Sequence, residues 1–165
     1  MFANQLERIQ SPEANKKPLL HQADDPTKTL LLREEEEVYV RQGYFKKYIP
    51  QIYKDTCCIS GMRLVSTHGY AMIDACHIVP FGISQNDRIT NGLALCPNAH
   101  RAFDRGLLSI DADYSVLVSP YIYEAEDHPY SLGNLKGKKI ILPEREDYLP
   151  SQANLQWHRE NVFKN

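Results

Sequence analysis

The apolar residues Tyr44, Phe45, Tyr48, Ile49, Ile52 and Tyr53 recur at steps of three and four, which predicts one apolar helix face after the acidic run Glu34–Glu37. Gly43 and Pro50 interrupt the pattern, and Pro50 is suited to opening a second short helix. Beyond the Ser60-Gly61 turn, Met62–Val65 and Tyr70–Ala75 read as short strands around Thr67-His68-Gly69. Residues 78–90 hold Pro80, Gly82, Ser84, Asn86 and Asp87, the composition of a loop. Leu93-Ala94-Leu95 is a short apolar strand. Pro97 and Gly106 then bracket a helix over 97–105, one as a first-turn residue and the other as a C-terminal cap. Leu107–Ile110 and Ser115–Val118 flank Asp111–Tyr114 as a hairpin, and Lys138–Leu142 is a further strand closed by Pro143. Ser151–Phe163 predicts a closing helix with Leu155, Trp157 and Val162 as packing residues. Residues 1–33 carry Pro12, Pro18 and Pro26 with no sustained period, and are expected to be a polar arm or linker ahead of a domain over 34–165.

Composition adds bounds. The chain has 165 residues, 42% hydrophobic and 24% charged, which suits one folded domain with an arm. Nineteen Lys and Arg against twenty-one Asp and Glu give a net charge of −2, which excludes a protein that coats polyanions over its whole surface but not a local basic face. No apolar run reaches the length of a membrane span. Glu7 and Gln10 stand where a secretory signal would carry its apolar core, so a cytoplasmic location is expected. In that compartment Cys57, Cys58, Cys76 and Cys96 are expected to be free thiols.

The chemistry concentrates in Asp74-Ala-Cys-His77-Ile-Val-Pro80, Asn91-Gly-Leu-Ala-Leu-Cys96 and His100-Arg-Ala-Phe-Asp104-Arg-Gly106. His77 ends a predicted strand, and Asn91 lies where the following loop returns to a second one. His100 and Asp104, four residues apart, project from the same helix face. A neutral histidine can take a proton from water near neutral pH, and a divalent metal can stabilise charge on a phosphoryl group and its leaving oxygen. The pattern therefore suits phosphodiester hydrolysis. His77 is the candidate base, and Asn91 is a candidate anchor of its loop or an orienter of metal-bound groups. Arg88, Lys46, Lys47, Arg101 and Arg105 are candidates for phosphate-backbone contacts. A helix-surface ion pair is the competing reading of His100 and Asp104, and a cross-strand hydrogen bond that of Asp74.

This segment resembles the HNH endonuclease superfamily, whose core is the ββα-metal (His-Me) finger, and within it the bacterial group of predicted restriction endonucleases. The namesake positions fall on His77, Asn91 and His100. Cys58-Ile-Ser-Gly61, Phe103-Asp104-Arg-Gly-Leu-Leu-Ser-Ile-Asp111 and Leu155-Gln-Trp-His-Arg-Glu160 resemble its flanking signatures, so the likeness covers residues 40–163. It implies an α+β fold: a ββα-metal core, a following β-hairpin, and flanking N- and C-terminal helices. It also implies a DNA endonuclease in which His77 is the general base, Asn91 supports its loop and His100 binds the metal with Asp104, leaving a 5′-phosphate and a 3′-hydroxyl.

Two departures from the family bear on the metal. The first-strand ligand is usually the residue before the base, commonly Asp or His, and here that residue is Cys76, with Asp74 two positions earlier. Either Asp74 supplies a carboxylate, or Cys76 a thiolate, or neither binds. An oxygen-rich set favours Mg²⁺ or Mn²⁺ over Zn²⁺, which is the expectation adopted, whereas a thiolate would favour a softer ion. The paired Cys-x-x-Cys knuckles of many HNH proteins are incomplete, since Gly61 follows Cys58 and Ala99 follows Cys96 at the expected spacing. The expected partners are DNA, a recognition domain or partner protein for specificity, and a second copy if both strands are to be cut. The alternative function is a non-catalytic nucleic-acid-binding module on a degenerate finger, favoured by Cys76 in the ligand position.

Overall fold

The computed structural model describes residues 43–125, 128 and 130–165. The expected arm over 1–33 and the acidic run lie outside the described residues. From Gly43 the chain is helical to residue 52 (α1), with Pro50 in the last turn rather than opening a second helix. Lys54 and Asp55, both with φ of 53°, end the turn that follows. Only Phe45, Ile49 and Tyr53 of the expected apolar face are fully buried. Tyr44 and Tyr48 are exposed and stack on each other.

Strand β1 (Asp74–His77) pairs antiparallel with β2 (Gly92–Leu95), opposing Cys76 to Leu93 and His77 to Gly92. Between them run the short helix α2 (Phe81–Ser84) and a 3₁₀ turn over Ile89–Asn91. All four β2 residues are buried, because α3 (Pro97–Asp104) lays Ala99, Ala102 and Phe103 into the same core. A side chain on Gly92 would collide with Ile49 and Phe45, so this glycine lets α1 close over the ribbon. Gly106, at φ 70°, turns the chain out of α3. Any Cβ there would strike the Val162 carbonyl, and its own carbonyl accepts Lys164 N–H at 2.9 Å. The hairpin of β3 (Leu108–Ile110) and β4 (Val116–Val118) follows, and α4 (Gln152–Asn161), capped by Ser151, packs on β3. The architecture is α+β, a ββα unit with a hairpin and flanking helices, as the sequence led us to expect.

Three expected strands, Met62–Val65, Tyr70–Ala75 and Lys138–Leu142, are not formed as drawn. Over 62–75 the only pairing among the described residues before β1 is a single bridge, Val65 to Ala71. Met62, Leu64, Val65, Tyr70 and Met72 all face solvent, so no packed layer extends this ribbon into a ladder. Residues 138–142 likewise form one bridge, Ser115 to Lys139. Ile140 N–H donates to Tyr114 O, but Ile141 N–H turns to Cys58 O, so the segment changes partner after two residues and cannot continue along the hairpin.

His158 of α4 is buried, stacked on Phe103 with centroids 3.7 Å apart. Its Nδ1 lies 2.9 Å from Ser109 Oγ and its Nε2 3.2 Å from Phe103 O. Burial holds its pKa down at about 4. Unfolded, the same ring takes a proton below its ordinary value of about 6.5. Between those limits the unfolded state binds more protons than the native one, so stability rises with pH across the window. Acidification from pH 6.5 to 4 is expected to remove about 3 kcal/mol through this residue. Urea midpoints measured across that range for the parent and for His158→Gln check it, since the variant's profile should be the flatter.

Candidate active site

The β1–β2–α3 unit brings the chemistry-bearing side chains to one end of the ribbon. Alternation along β1 sends Asp74 and Cys76 toward α3. His77 stacks instead on Phe45 of α1, at 3.8 Å between centroids and 7° between planes. Its Nε2 lies 2.8 Å from Asp87 Oδ1, and its side chain keeps 20% exposure. His77, His100 and Asp104 line one open groove of about 340 Å³, together with Pro80 and Phe81.

Asn91 is fully buried behind that groove. Its Oδ1 accepts Val79 N–H at 2.9 Å, and its Nδ2 donates to Val79 O at 3.0 Å and Asn86 O at 2.9 Å. One amide thus satisfies both backbone groups of Val79, two residues after His77, and grips the far side of the same loop. Asn154 of α4 adds a fourth bond, Nδ2 to Asn91 Oδ1 at 3.0 Å.

On α3, His100 Nε2 and Asp104 Oδ2 are 3.4 Å apart, while His100 Nδ1 faces Asp74 Oδ2 at 3.2 Å. Asp74 therefore occupies the nitrogen that points away from Asp104. Cys76 is fully buried, and its Sγ lies 3.8 Å from Asp104 Oδ1. Among the described residues, Cys76, His100 and Asp104 offer sulfur, nitrogen and oxygen donors within 4.8 Å of one another. Asp74, expected among the ligands, is not in that set. Burial and the neighbouring Asp104 carboxylate push the Cys76 thiol well up, so without a cation it keeps its proton. A coordinated cation reverses that balance, because it deprotonates a bound thiol outright. The donors thus fit a divalent cation. Arg101 and Arg105 border the same face, beside His100, Asp104 and Asp74.

Sequence reasoning missed Asp87. It was read only as loop composition, and nothing in a lone Asp inside a polar loop marks it as the partner of a histidine ten residues earlier. Its Oδ2 is buried and unpartnered, so the carboxylate is poorly solvated and depends on His77. The vestige of the cysteine knuckle also differs in detail. Ser60 N–H reaches Cys57 Sγ at 3.4 Å and Ser60 Oγ lies 3.8 Å from Cys96 Sγ, so Cys57 rather than Cys58 faces Cys96. The two thiols influence each other, Cys96 lowering the pKa of Cys57 and Cys57 raising that of Cys96. All four cysteines are free.

Residues 57–111 match the HNH endonuclease family. Among solved structures, the modification-dependent TagI restriction endonuclease superposes with a TM-score of 0.53 at 24% identity, over 72% of this chain and 37% of that one. The chain thus spans well under half of that protein, and the likeness is one of fold. No curated protein matches the chain. The helix pair His100 and Asp104, the loop-anchoring Asn91 and the strand-end His77 all lie inside the span that matches this family.

Proposed function

We propose that the chain is a metal-dependent endonuclease that hydrolyses DNA phosphodiester bonds, and that it serves restriction of foreign DNA. The observation that carries the reading is the shared groove: His77 on one side, and the His100–Asp104 pair on the other. The Asp87 carboxylate, accepting the Nε2–H of His77, leaves Nδ1 with a lone pair. That nitrogen takes the proton from the attacking water, and the poorly solvated Asp87 stabilises the imidazolium that forms. Phe45 stacking and the Asn91 clamp hold the ring in place, so little order is lost on the way to the transition state. His100 and Asp104 hold the divalent ion, and Asp74 fixes the His100 ring through its other nitrogen. When bound, that ion supplies charge stabilisation to the phosphoryl group and the leaving oxygen. Arg101 and Arg105 are placed to contact phosphates beside the cut.

With a net charge of −2, affinity for DNA rests on those few local contacts and falls only modestly with salt. Specificity then comes from a further domain or partner, and the modification dependence of the TagI enzyme supports a modified base as the signal. Asp87→Asn is expected to lower nicking by about 10-fold or more, up to the 10²–10⁴ that the general base itself contributes, and to leave metal affinity unchanged. Steady-state nicking and metal titration of this variant together check the assignment.

The second reading, a binding module without catalysis, has the thiol at position 76 in its favour. Calorimetric titration of the parent with Mn²⁺, followed by a plasmid-nicking assay, separates the two. Metal binding with nicking supports the enzyme. DNA binding with neither supports the module.

A further inference from the structure

We propose that Cys76 is a metal ligand, and that the site is built for a thiophilic divalent cation of the Zn²⁺/Co²⁺ class rather than for Mg²⁺. The inference rests on the nuclease reading and departs from the ion expected from sequence. A lone cysteine would carry nothing, but this one is aimed at two further donors. Cys76 Sγ lies 3.8 Å from Asp104 Oδ1, and Asp104 Oδ2 lies 3.4 Å from His100 Nε2. Tetrahedral bonds of about 2.3 Å to sulfur and 2.0–2.1 Å to nitrogen and oxygen place such donors about 3.5 and 3.3 Å apart. The two oxygens of Asp104 thus reach toward the sulfur and the nitrogen in turn, and one donor atom from each residue lies within 4.8 Å of the others, so side-chain rotation on binding would draw the three together.

The alternative carboxylate is engaged elsewhere. Asp74 Oδ2 faces His100 Nδ1, so Asp74 acts as the orienting partner of a ligating imidazole, the carboxylate–histidine–metal arrangement common around zinc. This leaves one sulfur, one nitrogen and one oxygen that would hold the ion. Mg²⁺ binds reluctantly to such a mixed set, because it prefers oxygen ligands in octahedral geometry. Thiolate and imidazole instead suit zinc and its neighbours. Binding converts the Cys76 S–H to a thiolate–metal bond and releases that proton to solvent. Cys76 is fully buried, so the sulfur is shielded from bulk solvent, and besides Asp104 it meets the His77 carbonyl at 3.5 Å.

The test is spectroscopic and needs no turnover. Full-length protein, reduced and metal-free, is titrated with Co²⁺ while the near-ultraviolet sulfur-to-cobalt charge-transfer band and the visible d–d bands are recorded. One equivalent is expected to give both, with Zn²⁺ displacing Co²⁺ and a large excess of Mg²⁺ failing to. In Cys76→Ser the charge-transfer band should vanish and Co²⁺ affinity fall by about 100-fold or more, beyond the loss typical of an orienting partner. Cys57→Ser/Cys96→Ser, which removes the other facing thiols, should keep the band. Thermal unfolding of each variant checks that it is folded. A band that survives in Cys76→Ser, no band in the parent, or Mg²⁺ competing at equal concentration would each overturn the proposal. Failure here is separable from failure of the nuclease reading: nicking with Mg²⁺ but no sulfur band discards the thiolate, whereas a sulfur band with no nicking under any ion discards the nuclease.

Discussion

His77→Ala is expected to lower the rate of metal-dependent plasmid nicking by about 10²–10⁴-fold, the contribution of a positioned general base. The loss should fall on the chemical step, because His77 is outside the cluster of metal donors and its removal leaves Cys76, His100 and Asp104 untouched. Metal affinity should therefore stay within a factor of a few of the parent. The fold should survive as well, although stacking on Phe45 is lost and Asp87 is left without its partner. That orphaned carboxylate is poorly solvated, so some loss of stability is expected alongside the loss of rate. Single-turnover nicking rates with calorimetric metal titration check the two halves together. A variant that cuts at the parent rate would assign the base elsewhere. One that loses metal binding would make His77 part of the cation site.

Asn91→Ala is expected to be the most damaging single substitution to stability within the finger, at about 3 kcal/mol or more. Four hydrogen bonds end on this buried amide, and alanine leaves Val79 N–H, Val79 O, Asn86 O and Asn154 Nδ2 without it. Each buried group so stranded costs about 1–3 kcal/mol, and water entering the space recovers only part of that. Asn91→Asp keeps the acceptor for Val79 N–H but sets a buried carboxylate oxygen against Val79 O and Asn86 O, so it should be strongly destabilised as well near neutral pH. Urea unfolding of the three proteins gives the order. Activity should fall further than the population of folded protein does, because Ile78 and Val79 follow His77 directly and their tether to Asn91 holds the base. Wild-type stability for Asn91→Ala would mean that the loop is held by other contacts.

The helix α3 was legible because both its ends carry unambiguous signals, Pro97 at the start and Gly106 at the stop, with His100 and Asp104 at helical spacing between them. Strand β2 followed from the apolar run Leu93–Leu95 and the closing helix from Ser151 and the Leu155 stripe, whereas the first strand, expected over Tyr70–Ala75, forms over Asp74–His77. What failed was the extent of strands without a covering layer. Residues 62–72 have strand-like side chains, but a ribbon with Met62, Leu64 and Tyr70 in solvent has no packing to lengthen it. The site was readable where spacing along one element decides proximity. It was unreadable where a loop returns through space. Asp87 reaches His77 only because the Asn91 clamp folds residues 79–91 back on themselves, and no periodicity encodes that turn. The roles of Asp74 and Cys76 were undecidable in sequence for a related reason. Both lie on the α3-facing side of β1, and only the separation of one pair of residues along the strand determines which meets His100 Nδ1 and which meets Asp104.

In the proposed reaction His77 and a cation held on α3 act across one groove on a phosphodiester. The most direct measurement is cleavage of supercoiled plasmid by the parent protein with Mn²⁺, Zn²⁺, Co²⁺ or Mg²⁺ and with excess chelator, followed by analysis of the ends. Nicking should need a divalent ion, stop on chelation, and leave 5′-phosphate and 3′-hydroxyl termini. Intact plasmid under every ion, or nicking that continues undiminished in chelator, would contradict that reaction.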